Sequence, residues 1–205
     1  MGLFVKICGL ARAEDVAAVA RLAPDALGFV FWPGSRRAVR AEEVRDWTRG
    51  LPASLLKVGV FVDAPADEVR RTVETAGLDV AQLHGGETPE DFADVPFRLW
   101  RSVSLRPGVD PHLDGWFVDA FLVDSYSPQS PGGTGIVGDW AAARDFVRQT
   151  PQRVLLAGGL TPDNVRAAVQ AVRPWGVDVS SGVEARPREK DMAKVKAFIE
   201  RCREE

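Results

Sequence analysis

Residue types that handle protons and anions gather in this chain at the ends of short apolar runs. Cys8 closes LFVKIC (3–8), His84 closes DVAQLH (79–84), and Asp124 ends the apolar part of AFLVDS (120–125). Arg36 and Arg37 follow ALGFVFW (26–32) in the loop WPGSRR. Gly158 ends RVLLAG (153–158) and is followed by Gly159, and Ser180 and Ser181 end VDVSS (177–181) and are followed by Gly182. A thiol acts as base or nucleophile only as thiolate, and with a pKa near ~8.5 only a few per cent is ionised at pH 7. A carboxyl or an imidazole can move a proton, the imidazole more readily with its pKa of ~6.5. A guanidinium fork matches a carboxylate. Glycines let backbone N–H groups approach an anion, and serine hydroxyls add donors. Each residue also has a plain structural use: a cysteine in an apolar strand is usually a small core residue, and an aspartate after a strand a cap or turn residue.

Chemistry requires these groups to converge, so the elements that carry them matter. Eight apolar runs occur: 3–8, 26–32, 56–62, 79–84, 97–103, 120–125, 153–158 and 177–181. Stretches of helical period separate most of them. Residues 13–22 and 41–49 open with acidic residues that suit a helix N-terminus, and 65–76 and 161–172 open with Pro65 and Thr161-Pro162. Residues 88–93, 139–148 and 190–202 read as further helices, whereas 104–117, with two prolines and two glycines, predicts a weak or missing fifth helix. Strand and helix in this alternation predict one (β/α)8 TIM barrel spanning residues 1–205. An open doubly wound sheet is the competitor, but ICGLAR after the first run lacks the glycine-rich turn such sheets carry. In a barrel the strand C-termini form the active site, and the loops after strands 7 and 8 commonly bind phosphate. Those loops are LAGGLTPDNV and VSSGVEAR.

Composition narrows the function class. The chain is 45% hydrophobic and 27% charged, which fits a globular domain. A net charge of -3 and the lack of a long basic run argue against nucleic-acid or membrane-surface binding. Two cysteines at opposite ends make neither a disulfide framework nor a zinc motif. No apolar stretch approaches ~18 residues and no signal peptide is evident, so cytoplasmic residence is expected.

Eight segments, in order along nearly the whole chain, resemble the phosphoribosylanthranilate isomerase family. They are KICG (6–9), GFVFWPGSRRAV (28–39), VGVFV (58–62), QLHG (82–85), LVDS (122–125), GGTG (132–135), AGGLTPDNV (157–165) and VDVSSGVE (177–184). The resemblance implies an Amadori rearrangement in tryptophan biosynthesis. N-(5-phosphoribosyl)anthranilate would become 1-(2-carboxyphenylamino)-1-deoxyribulose 5-phosphate, with neither metal nor organic cofactor. It makes Cys8 the general base and Asp124 the general acid, and places the anthranilate carboxylate on Arg37, with Arg36 as the competitor. His84, Gly133, Gly158, Gly159, Asp178, Ser180, Ser181 and Gly182 complete the expected substrate contacts, His84 being the alternative acid. Monomer and homodimer both remain open.

Strand parity adds an expectation. If Cys8 and Ser180 face the interior, so do Lys6 and Asp178, and closure makes the first and last strands neighbours. A Lys6–Asp178 ion pair beneath the site is therefore predicted. GGTG reads as a mobile lid, although Gly138 stands where the family pattern has an aromatic residue. The rivals are another phosphosugar-binding (β/α)8 enzyme and a non-catalytic phosphometabolite-binding barrel.

Overall fold

The computed structural model describes residues 2–105, 111, 113–124 and 139–204. Eight parallel strands close in sequence order: β1 (Phe4–Ile7), β2 (Ala26–Val30), β3 (Leu56–Phe61), β4 (Val80–Leu83), β5 (Arg98–Ser104), β6 (Ala120–Asp124), β7 (Arg153–Ala157) and β8 (Gly176–Val179). β8 returns to β1 with Lys6 opposite Asp178. That closure excludes the open sheet, whose edge strands would stay unpaired.

Six α-helices lie among the described residues: α1 (Ala13–Arg21), α2 (Ala41–Thr48), α3 (Ala66–Ala76), α4 (Trp140–Gln149), α5 (Val165–Val172) and α6 (Met192–Arg203). Local chemistry sets their ends. Pro65 precedes α3, and Gly77 stops it in the left-handed region at φ 63. Asp139 accepts hydrogen bonds from the Ala141 and Ala142 amides, both at 3.0 Å, and Asp191 caps α6 in the same manner.

Two of the predicted helices differ. Residues 88–93 form only a 3₁₀ turn over Glu90–Phe92. Gly85, Gly86, Pro89 and Pro96 crowd this connection and leave too few residues to repay helix nucleation. The helix expected over 161–172 begins at Val165, because Asn164 folds back on the preceding turn. Its Oδ1 accepts from the Thr161 amide at 2.8 Å and its Nδ2 donates to the Gly159 carbonyl at 2.9 Å. Between β5 and β6 the described residues contain no helix. One feature is absent from the sequence reading: a hairpin of β9 (Glu184–Arg186) and β10 (Glu189–Lys190) before α6.

The larger apolar core lies between barrel and helices, and a smaller one fills the barrel's interior with Ala26, Val58, Val80, Trp100, Leu122 and Leu155. Phe4 and Trp175 stack at 4.3 Å, and Trp100 meets Phe4 edge-on at 5.9 Å. Along β1 and the residue that follows it, the same inward series runs Phe4, Lys6, Cys8. The interior thus turns from aromatic at one end to ionic and then reactive at the other.

Candidate active site

The C-terminal strand ends enclose a cavity of about 370 Å³ lined by Cys8, Arg37, His84, Asp124, Asp178 and the 158–160 and 180–182 loops. Its floor is the pair that strand parity predicts. Lys6 Nζ donates to Asp178 Oδ1 at 2.8 Å, and the lysine is fully buried. Burial by itself would lower the Lys6 pKa, but the charges of Asp178 and Cys8 outweigh it and hold the lysine above its ordinary value.

Cys8 follows β1 directly, and its amide donates to the Val179 carbonyl at 2.8 Å. It has room because position 28 on β2 is glycine: a Cβ there would come within 2.7 Å of the thiol sulfur. Burial pushes the Cys8 pKa up, and the Lys6 charge works against that rise. Cys202, the other cysteine, is buried in α6 and pushed up to about 12, which leaves it an inert core thiol.

Asp124 ends β6 on the far side of the cavity mouth. Burial is the main reason its pKa is raised, with Asp178 adding to the rise and His84 opposing it. A carboxyl so placed holds its proton at higher pH than an ordinary aspartate. His84 is open to the cavity yet walled by protein. That desolvation pushes its pKa down, against the pull of Asp124, and favours a neutral ring. His84 Nδ1 and Ser102 Oγ share a hydrogen bond of 2.8 Å, and Gln82 Nε2 donates to the same hydroxyl at 3.3 Å. When the hydroxyl donates to Nδ1, the neutral ring carries its own proton on Nε2. Gln82 and Ser102 are missing from the sequence-derived set. The signal for Gln82 was available, since it is the polar residue of the otherwise apolar β4, whereas Ser102 lies in a strand that also carries Arg98, Arg101 and Ser104.

Arg37 reaches the cavity with part of its fork already engaged. Its Nε and Nη2 donate to Glu184 Oε1 and Oε2, each at 2.6 Å. Lys190 Nζ donates to Glu184 Oε1 at 3.2 Å and to the Ser180 carbonyl at 2.9 Å. Glu184 is held below its ordinary pKa: burial alone would raise it, but the bonds from Arg37 and the charge of Lys190 prevail. Neither Glu184 nor Lys190 was predicted from sequence as a site residue.

The two glycine-bearing loops meet. Gly158 and Gly159 adopt φ of 84° and 63°, conformations that favour glycine. A Cβ at Gly182 would collide with the Leu160 carbonyl oxygen, so the loops after β7 and β8 lie against one another. Gly133 and the whole GGTG segment lie outside the described residues. Asp63, at the end of β3, accepts from the Gly86 amide at 2.6 Å and supports the loop after His84.

A thiol, a carboxyl and an imidazole lining one cavity with a guanidinium and two glycine-bearing loops, at the mouth of a (β/α)8 barrel, fit the class of acid–base enzymes that act on phosphorylated small molecules. The model of the family described as N-(5'phosphoribosyl)anthranilate (PRA) isomerase matches residues 5–201. The chain belongs to that family of isomerases. An N-(5'-phosphoribosyl)anthranilate isomerase of Chromohalobacter salexigens is 44% identical over 198 residues, covering 95% of this chain and 92% of the relative. The phosphoribosyl anthranilate isomerase of Thermotoga maritima superposes with a TM-score of 0.89 at 33% identity, over 98% of both chains. A phosphoribosyl anthranilate isomerase in complex with reduced 1-(o-carboxyphenylamino)-1-deoxyribulose 5-phosphate superposes at 0.86 with 32% identity, again over 98% of both chains.

Proposed function

We propose that Cys8 and Asp124 carry the proton transfers of the isomerisation of N-(5'-phosphoribosyl)anthranilate to 1-(2-carboxyphenylamino)-1-deoxyribulose 5-phosphate. The observation that carries this reading is that thiol and carboxyl line one cavity while burial raises the carboxyl's pKa. The protonated Asp124 gives its proton to the furanose ring oxygen. The bond from that oxygen to C1 breaks, and the nitrogen lone pair forms a C1=N iminium. The Cys8 thiolate then takes the C2 proton. The electron pair forms C1=C2, and the iminium electrons return to nitrogen. Cys8 gives its proton to C1 and becomes thiolate again, and the Asp124 carboxylate takes the enol O–H proton, which leaves the ketone. No net proton or electron is consumed.

The anchors follow from the same cavity. Gly158, Gly159, Ser180, Ser181 and Gly182 receive the phosphate, and Arg37 receives the anthranilate carboxylate. The Nε–Nη2 edge of Arg37 is occupied by Glu184, so the substrate takes the Nη1–Nη2 edge. A lysine offers one point charge in place of that planar fork. Arg37→Lys is therefore expected to raise KM about 10- to 100-fold with kcat nearly kept, as loss of uniform binding requires. Steady-state kinetics on the folded variant check this, and an unchanged KM would reassign the carboxylate.

Asp124 takes the acid role ahead of His84 because its pKa moves towards neutrality while that of His84 moves down, leaving a neutral donor on the substrate side. Every residue proposed here comes from one chain, so a monomer suffices for the chemistry; a relative from Thermotoga maritima is described as dimeric. No helix among the described residues is long and apolar enough to cross a membrane, and the reading places the enzyme in the cytoplasm.

The pH dependence tests the assignment. The carboxyl starts from an ordinary 3.8 and the thiol from 9.0, and both are raised. The productive form, thiolate with protonated carboxyl, is then a minor tautomer of thiol with carboxylate. Its share is constant between the two pKa values and falls outside them, so kcat/KM is bell-shaped, the lower limb reporting Asp124 and the upper Cys8. In Asp124→Asn the residual rate should rise with pH through the Cys8 limb alone. A bell that survives this substitution would move the acid role to His84. Turnover is followed as loss of substrate fluorescence, with phosphoribosylanthranilate generated in situ.

A further inference from the structure

Glu184 stands at the first position of β9, 8% exposed, and joins the two ends of the cavity. One carboxylate accepts twice from Arg37 and once from Lys190, and Lys190 in turn donates to the backbone of Ser180. Lys194 Nζ pins the Glu184 carbonyl at 3.0 Å. Arg37 and Ser180 close over Gly9, the residue after Cys8: a Cβ there would lie 2.5 Å from Arg37 Cδ and 2.6 Å from Ser180 Oγ, and its φ is +70.

A guanidinium has two edges that can hold a carboxylate, one through Nε and one through the two Nη atoms. Glu184 occupies the first. An arginine without that contact would sample several rotamers, each ordering of which costs conformational entropy on binding. A second negative charge beside Arg37 also repels an incoming carboxylate, so pre-orientation must outweigh that repulsion if Glu184 is to help. We propose that Glu184 is a positioning residue that fixes the free edge of Arg37 towards the cavity and thereby makes the site select an arylamine substrate bearing a carboxylate. The proposal rests on the reading of Arg37 as the carboxylate anchor.

The test compares two ligands by calorimetry: reduced 1-(2-carboxyphenylamino)-1-deoxyribulose 5-phosphate and its phenylamino counterpart without the carboxylate. Wild type is expected to prefer the first by about 10- to 100-fold, the range of a charge-assisted bidentate contact. In Glu184→Ala that preference should collapse to within about threefold, with Glu184→Gln between them, because the carboxylate ligand loses more affinity than its carboxylate-free counterpart. Because Glu184→Ala leaves the buried Lys190 without its partner, the double variant Glu184→Gln, Lys190→Met keeps the charge balanced and should show the same loss of preference. Three results would overturn the proposal: an unchanged preference in the folded variants, equal weakening of both ligands, or tighter binding of the carboxylate ligand once Glu184 is gone. A wild type that does not distinguish the ligands would instead refute the role of Arg37 itself.

Discussion

Cys8→Ala and Asp124→Asn are each expected to lower kcat/KM by on the order of 10³- to 10⁴-fold with the fold intact, the upper range for one positioned acid or base. That loss corresponds to roughly 4–5.5 kcal/mol of transition-state stabilisation each. Two further variants separate chemistry from packing. Cys8→Ser keeps the size that Gly28 makes room for, but an alcohol ionises far less readily than a thiol, so it should be nearly as inactive as alanine. Asparagine keeps the shape of Asp124 and cannot donate to the ring oxygen. His84→Asn removes an uncharged donor and should cost much less, about 10-fold, in line with one neutral hydrogen bond. The two catalytic effects are not expected to add, because acid and base serve one proton-transfer sequence. An active Cys8→Ala would return this cysteine to the role of a core residue. Abolition in His84→Asn with activity kept in Asp124→Asn would exchange the two acids.

The largest effect on stability is expected at the barrel floor. Lys6→Met leaves the Asp178 carboxylate in a buried site without its cation, and removal of one member of a buried pair costs about 3–5 kcal/mol. For a chain of 205 residues this corresponds to a fall in Tm of roughly 10 °C, at about 2–4 °C per kcal/mol. The double variant Lys6→Met, Asp178→Asn removes both charges and should recover most of the loss. The pH dependence has a definite sign. The Lys6 pKa is raised in the folded chain, so its contribution is complete below the unfolded value of ~10.4 and is lost only as pH rises through the higher folded value. The deficit of Lys6→Met should therefore hold steady through neutral pH and shrink as the wild-type lysine loses its proton in strong alkali. Thermal and denaturant unfolding measure it. A deficit below about 1 kcal/mol would mean that the pair behaves as a solvent-exposed one.

Much of this was legible before any coordinates. Strands and helices announced themselves because a period of two and a period near four are local properties of the chain. Lys6–Asp178 was legible for a related reason: parity fixes which side chains point inward, and closure makes β1 and β8 neighbours. The helix expected over 88–93 failed because its pattern ignored the glycines and prolines around it. Glu184 and Lys190 escaped because strands of three and two residues are too short to carry a periodic signal.

The barrel, its order of strands, the shared facing of Lys6 and Cys8 and the residues at the strand ends are all readable from the chain, since each depends on spacing along one segment. What those residues meet depends on the closed barrel. The contact of Arg37 with Glu184 spans 147 positions, and no local pattern predicts it. Nor does any local pattern set the raised pKa of Asp124 or the lowered pKa of His84. Both follow from desolvation and from charges that different strands bring to one cavity, and those exist only once the barrel has closed.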